Sequence, residues 1–218
     1  MIHTHEEREL AINRLLNNYL AIAELIEPPM RKLIYEHIEA VFGLGLDDGK
    51  ERVRVFNDKS FYFEEEEREE KDIYVSDEAC DAIKAEKRGS LSMTHNHPLN
   101  VPPSSKDYKF FFKYLALNDM AICGHVGNLY FISKGNRFNK IKEEAIVNFL
   151  GIFDEEFIKL IKQYFIDNNI RLSEEFLLNA KEKDRQECLA REYAFKSICE
   201  GISRQYEGFV YYMEGAWK

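Results

Sequence analysis

The chain has 218 residues, 45% of them hydrophobic and 32% charged, with 39 acidic against 30 basic side chains and a formal net charge of −9. That balance fits a folded globular protein and excludes a disordered chain poor in apolar residues. The negative charge argues against a main role in gripping phosphate backbones, a task for basic faces. No apolar stretch reaches the roughly 20 residues of a membrane span. The opening Met-Ile-His-Thr-His-Glu-Glu lacks the basic and apolar regions of a signal peptide, so a cytoplasmic protein is expected. Cys80, Cys123, Cys188 and Cys199 form no Cys-x-x-Cys pair, which points to reduced core thiols rather than a zinc ribbon or redox motif.

Taken in order, the apolar residues of 6–42 recur at helical spacing in two runs, divided by Pro28-Pro29. Gly43, Gly45 and Asp47-Asp48-Gly49 read as a flexible exit. Residues 51–67 alternate around Asn57-Asp58-Lys59 and predict a β-hairpin. The acidic run 64–70 reads as a solvated edge or loop. A short helix capped by Ser76 or Asp77 is expected over 77–87, a strand over 90–94 and a helix over 108–117. Residues 120–126 and 129–133 flank Gly127-Asn128, a two-residue hairpin signal that leaves His125 as an exposed hairpin residue. Helical patterns return around Ile146–Leu150, Phe157–Ile161, Phe176–Leu178 and Tyr193–Tyr212. The organisation is then a helical segment at 1–47, an α/β (α+β) core with a mixed sheet at 48–137, and a second helical segment at 138–218.

The chemistry concentrates in Thr94-His-Asn-His-Pro-Leu-Asn-Val-Pro-Pro-Ser-Ser-Lys-Asp107. In an extended segment side chains alternate, so His95 and His97 share a face while Asn96 points away. Pro98, Pro102 and Pro103 restrict the loop that follows, and Ser104 or Ser105 reads as the cap of a helix carrying Asp107. Two imidazoles and one carboxylate are three protein ligands, the number a hydrolytic zinc site uses while leaving a position for water. His3 and His5 repeat the spacing with no carboxylate at matching distance. Cys123 lies in an apolar run without a basic activator and reads as core.

These residues resemble the signature of the JAB/MPN metalloprotease family, also called JAMM: a distant Glu, then His-x-His, seven residues, and Ser-x-x-Asp. Here six residues separate His97 from Ser104, one fewer than the usual loop. The His-Asn-His-Pro wording and the Pro before the serine are most similar to the bacterial and phage branch with its RadC-like members, over roughly residues 48–135. The resemblance implies a JAB/MPN-like mixed sheet with packed helices. It implies Zn2+ held by His95, His97 and Asp107, with Glu51 as the base and Ser104 as an oxyanion donor. One of Glu64 to Glu67 is the alternative base. The implied activity is a zinc-dependent peptidase or isopeptidase acting on a protein substrate, with a ubiquitin-like modifier linkage as one target, and the helical flanks would choose a protein partner. The alternatives are an inactive JAB scaffold serving as an interaction module, and a RadC-like DNA-associated protein, which the charge disfavours.

Overall fold

Thr4 starts the first helix through a capping box: its hydroxyl accepts from Glu7 N, and the Glu7 carboxylate accepts from Thr4 N at 2.9 Å. The computed structural model describes residues 4–59, 61–66, 75–98, 100–135, 141–170 and 179–216. Helix α1 (His5–Ala23) ends ahead of the two prolines, which open α2 (Pro28–Asp48) because a missing N–H and a fixed φ suit a first helical turn. The flexible exit expected at Gly43 and Gly45 is a correction, since both lie inside α2. That helix runs on to Asp48 and stops at Gly49, whose φ of 76° is the left-handed conformation of a helix end.

Strands β1 (Arg52–Phe56) and β2 (Tyr62–Glu66) form the expected antiparallel hairpin. Helix α3 (Asp77–Ala85) is capped by Ser76, and β3 (Leu91–His97) continues past Thr94 through both histidines. Then come α4 (Ser105–Lys113), β4 (Leu117–Gly124), β5 (Leu129–Ser133), α5 (Glu143–Asp167), α6 (Ala180–Gln205) and β6 (Val210–Glu214). The helical reading of 193–212 holds only as far as Gln205. Residues Val210–Glu214 are a strand paired with β5, so the segment 138–218 is not wholly helical. Phe176–Leu178, Glu67–Glu70 and His3 lie outside the described residues.

Among the described residues the fold is mixed α and β, with six helices and a six-stranded sheet in the order β2-β1-β3-β4-β5-β6. Only β3 and β4 run parallel, and α4 makes the crossover between them. One face of the sheet, with Val53, Met93, Met120 and Ile132, packs on Phe111 and Phe112 of α4, Phe153 and Phe157 of α5, and Phe195 of α6. The other face, with Phe56, Ala121, Cys123 and Phe131, packs on Leu15 and Ile22 of α1 and on Ile34, Ile38 and Phe42 of α2. The helical flanks therefore cover both faces of the sheet, and each fully buried Phe contributes about 1.5–3 kcal/mol of transfer free energy. Two bonds tie β6 and its exit to α1: Tyr212 Oη donates to Asn18 Oδ1 at 3.1 Å, and an Arg14 guanidinium nitrogen donates to Gly215 O at 2.6 Å. No helix among the described residues is long and apolar enough to cross a membrane.

Candidate metal centre

Alternation along β3 puts Leu91 and Met93 in the core on the α4 side, and His95 and His97 follow on that same face at the carboxyl end of the strand. A crevice beyond the carboxyl ends of parallel strands is where α/β sheets place their ligands. The loop 98–104 turns at once: Asn100, with φ of 58°, donates its N–H to His97 O, and its side-chain oxygen accepts from Val126 N at 2.8 Å. Asp107 is still returned to the histidines. Asp107 Oδ1 stands 3.8 Å from His95 Nε2, and Oδ2 stands 3.6 Å from His97 Nε2.

The two rings are held edge to face, with centroids 4.6 Å apart. Each Nδ1 faces a carbonyl: His95 that of Arg52 at 2.9 Å, His97 that of Val101 at 2.8 Å. A carbonyl only accepts, so each Nδ1 carries a proton and each Nε2 is the atom turned toward the carboxylates. Glu51, which precedes β1, completes the cluster with a carboxylate oxygen 4.0 Å from His95 Nε2. Ligand atoms of Glu51, His95 and His97 lie within 4.8 Å of one another, a group able to hold a metal ion. Glu64 instead binds Arg54 at 2.6 Å, and Glu66 binds Lys50 and Arg52. Their cross-strand partners put both on the sheet face away from the histidines; Glu65, opposite Val53, is on the histidine face, but among the described residues it is Glu51 that groups its ligand atom with those of His95 and His97, and Glu67 lies outside the described residues.

Ser104 is the N-cap of α4. Its hydroxyl accepts from Asp107 N and donates to Asp107 Oδ2 at 2.7 Å, while its own N–H donates to the same oxygen at 2.6 Å. The serine thus orients the carboxylate. Burial pushes the Asp107 carboxyl up, but His97, His95 and the Ser104 bonds outweigh it and hold the group below its usual range. Burial, reinforced by His97, lowers His95 from 6.5 to about 4 against the pull of Asp107, so the ring is neutral at pH 7. The two rings and the carboxylates of Glu51 and Asp107 converge there, and such a set of nitrogen and oxygen donors fits a divalent cation, Zn2+ among those that favour such ligands.

Set against family models, curated proteins and solved structures, the chain has no match.

The cluster heads a cleft of about 930 Å3 between α4 and α5. Phe110, Tyr114, Leu150 and Phe157 give it apolar walls, and Lys109 reaches across to Asp154 at 2.5 Å. Cys123 is buried behind β3 in the α1–α2 core, where burial pushes its thiol up to about 12. His125 is a correction: it is 2% exposed, and its Nε2 lies 3.0 Å from Asn96 Nδ2. Sequence reasoning placed Asn96 away from the histidine face without giving it a task. The one signal available was that a side chain turned from the cleft on a central strand must find a buried partner.

Proposed function

We propose that the chain is a zinc-dependent hydrolase of the JAB type, a peptidase or isopeptidase cutting an amide bond in a protein substrate, with a ubiquitin-like modifier linkage as the target class. One observation carries the reading: two imidazoles, each fixed through Nδ1 to a carbonyl, turn their Nε2 atoms toward Glu51 and Asp107 at the head of a cleft. His95, His97 and Asp107 would hold Zn2+, which when bound makes its water acidic and polarises the carbonyl under attack. Glu51 takes the proton of the attacking water and returns it to the leaving nitrogen. Ser104 keeps Asp107 in place, and donation to a developing oxyanion would require its hydroxyl to turn from Asp107 Oδ2. The apolar walls of the cleft suit an extended chain segment with apolar side chains.

A scaffold that binds metal without turnover is the second reading, favoured by the engagement of the Ser104 hydroxyl with Asp107. Elemental mass spectrometry of the purified parent, Asp107→Ala and Glu51→Gln decides the metal, and cleavage of isopeptide- and peptide-linked substrates decides the reaction. Zinc is expected in the parent and in Glu51→Gln but not in Asp107→Ala, with turnover in the parent alone. A folded parent that takes up no zinc when supplied with it refutes both readings.

A further inference from the structure

Glu51 lies outside every helix and strand, between the end of α2 and the start of β1. A residue in such a connection is held by what its neighbours bond to. The β1–β3 ladder pairs Val53 with His95 and goes no further toward Glu51. Beyond that point the Asn96 side chain takes over: Oδ1 accepts from Arg52 N at 2.7 Å, and Nδ2 donates to Lys50 O at 2.9 Å. One carboxamide stands in for a peptide group and grips the backbone on both sides of Glu51. Arg52 is fixed further by its guanidinium on Asp48 and by its carbonyl on His95 Nδ1.

The grip has its own support. Asn96 Nδ2 donates to His125 Nε2 at 3.0 Å, which fixes the end of the carboxamide that is oxygen and puts the imidazole proton on Nδ1. Gly45 of α2 closes over the pair, since a Cβ there would lie 2.3 Å from Asn96 Nδ2 and 2.6 Å from His125 Nε2. Asn96 is completely buried on the α2 side of the sheet, opposite the face carrying His95 and His97.

We propose that Asn96, oriented by His125, is a positioning residue for Glu51: it sets where the carboxylate stands relative to the imidazoles without touching the reacting atoms. The role rests on the reading of this cluster as a hydrolytic metal centre with Glu51 as its base. Asp at position 96 keeps the acceptor for Arg52 N but sets a carboxylate oxygen against Lys50 O and His125 Nε2. Leu at position 125 removes the acceptor for the amide, whereas Gln places an oxygen near where Nε2 stood.

Co2+ alone is the probe, loaded into the full chain, with three readouts: its visible absorption bands, its affinity, and exchange of the Arg52 amide proton by NMR. Glu51→Gln should shift the bands. Asn96→Asp and His125→Leu should reproduce most of that shift with Co2+ affinity lowered by less than about tenfold, the smallest loss expected when a ligand's own hydrogen-bond partner is removed. Arg52 exchange should be about tenfold faster in both, because the group that accepts its proton loses its bond to His125 Nε2 and is held less firmly. His125→Gln should resemble the parent. If Glu51→Gln shifts the bands while Asn96→Asp and His125→Leu match the parent, the positioning role is overturned and the metal-centre reading stands. A parent that binds no Co2+, or a Glu51→Gln spectrum identical to the parent, overturns the reading and the role together. Should Asn96→Asp fail to fold, the contrast between His125→Leu and His125→Gln decides by the same spectra.

Discussion

Adding one methyl group to α2 should have opposite effects at two positions two residues apart. In a helix interior Gly→Ala contributes about 0.5–1 kcal/mol of stability by restricting the unfolded chain. At Gly43 nothing among the described residues lies within 4 Å of an added Cβ, so Gly43→Ala should be more stable than the parent by about that amount. At Gly45 the same methyl meets Asn96 Nδ2 at 2.3 Å and His125 Nε2 at 2.6 Å, and both side chains are buried and bonded. Overpacking costs about 1–3 kcal/mol, and moving the carboxamide leaves Arg52 N–H and Lys50 C=O short of a partner at about 1–3 kcal/mol each. These costs overlap, because one shift relieves the first by incurring the second, so the net destabilisation is roughly 2–4 kcal/mol. For a chain of this size that lowers the melting temperature by roughly 5–15 °C. Urea unfolding at pH 7 with an unchanged slope is the assay. A Gly45→Ala protein as stable as Gly43→Ala would refute the close packing of α2 on Asn96 and His125.

Three further outcomes are expected. Asp107→Asn keeps an acceptor for Ser104, so its unfolding midpoint should stay within about 1 kcal/mol of the parent, while zinc affinity measured by competition with a chelator falls by more than about 100-fold. His37, stacked on Phe56 at 3.7 Å, is lowered from 6.5 to about 4 by burial and then by Arg54. The unfolded chain takes up this proton first, so the stability present above pH 6.5 declines as pH falls toward 4. His37→Phe should flatten the profile by about 1–2 kcal/mol over that window, and a profile as steep as the parent's would exclude His37 as the source. Thr94 is fully buried with no partner for its hydroxyl among the described residues, so Thr94→Val should be neutral or more stable by up to about 1 kcal/mol in thermal unfolding, and a clear loss would mean the hydroxyl is bonded.

Local rules carried much of the architecture. Alternation over 51–67 predicts the hairpin that β1 and β2 form, and caps expected at Ser76 or Asp77 and at Ser104 or Ser105 mark the starts of α3 and α4, where Ser76 and Ser104 take that place. The period of two also puts His95 and His97 on one face and Asn96 on the other, which is the pattern found. What failed was tertiary. Gly43 and Gly45 signal a break by propensity, but packing of Ile34, Ile38 and Phe42 on the sheet carries α2 through them. Val210-Tyr-Tyr-Met is apolar enough for either a helix end or a strand, and the open edge of β5 decides for the strand. His125 reads as a turn residue because its partner, Asn96, is distant in sequence and comes close only once β3 and β4 pair.

The closing of β5 by β6 also sets an order on synthesis. Residues Leu129–Ser133 are buried along their whole length, and one edge of that strand is covered by residues Val210–Glu214. The ribosome must add about 80 residues between the two, which takes roughly 4–15 s at ordinary elongation rates. Through that interval the nascent chain carries an unpaired apolar strand edge, and α1 lacks the anchorage that Tyr212 and Gly215 later provide. Slow production at low temperature, or a chaperone that shields apolar strands, should therefore raise the soluble yield more than any change near the cleft.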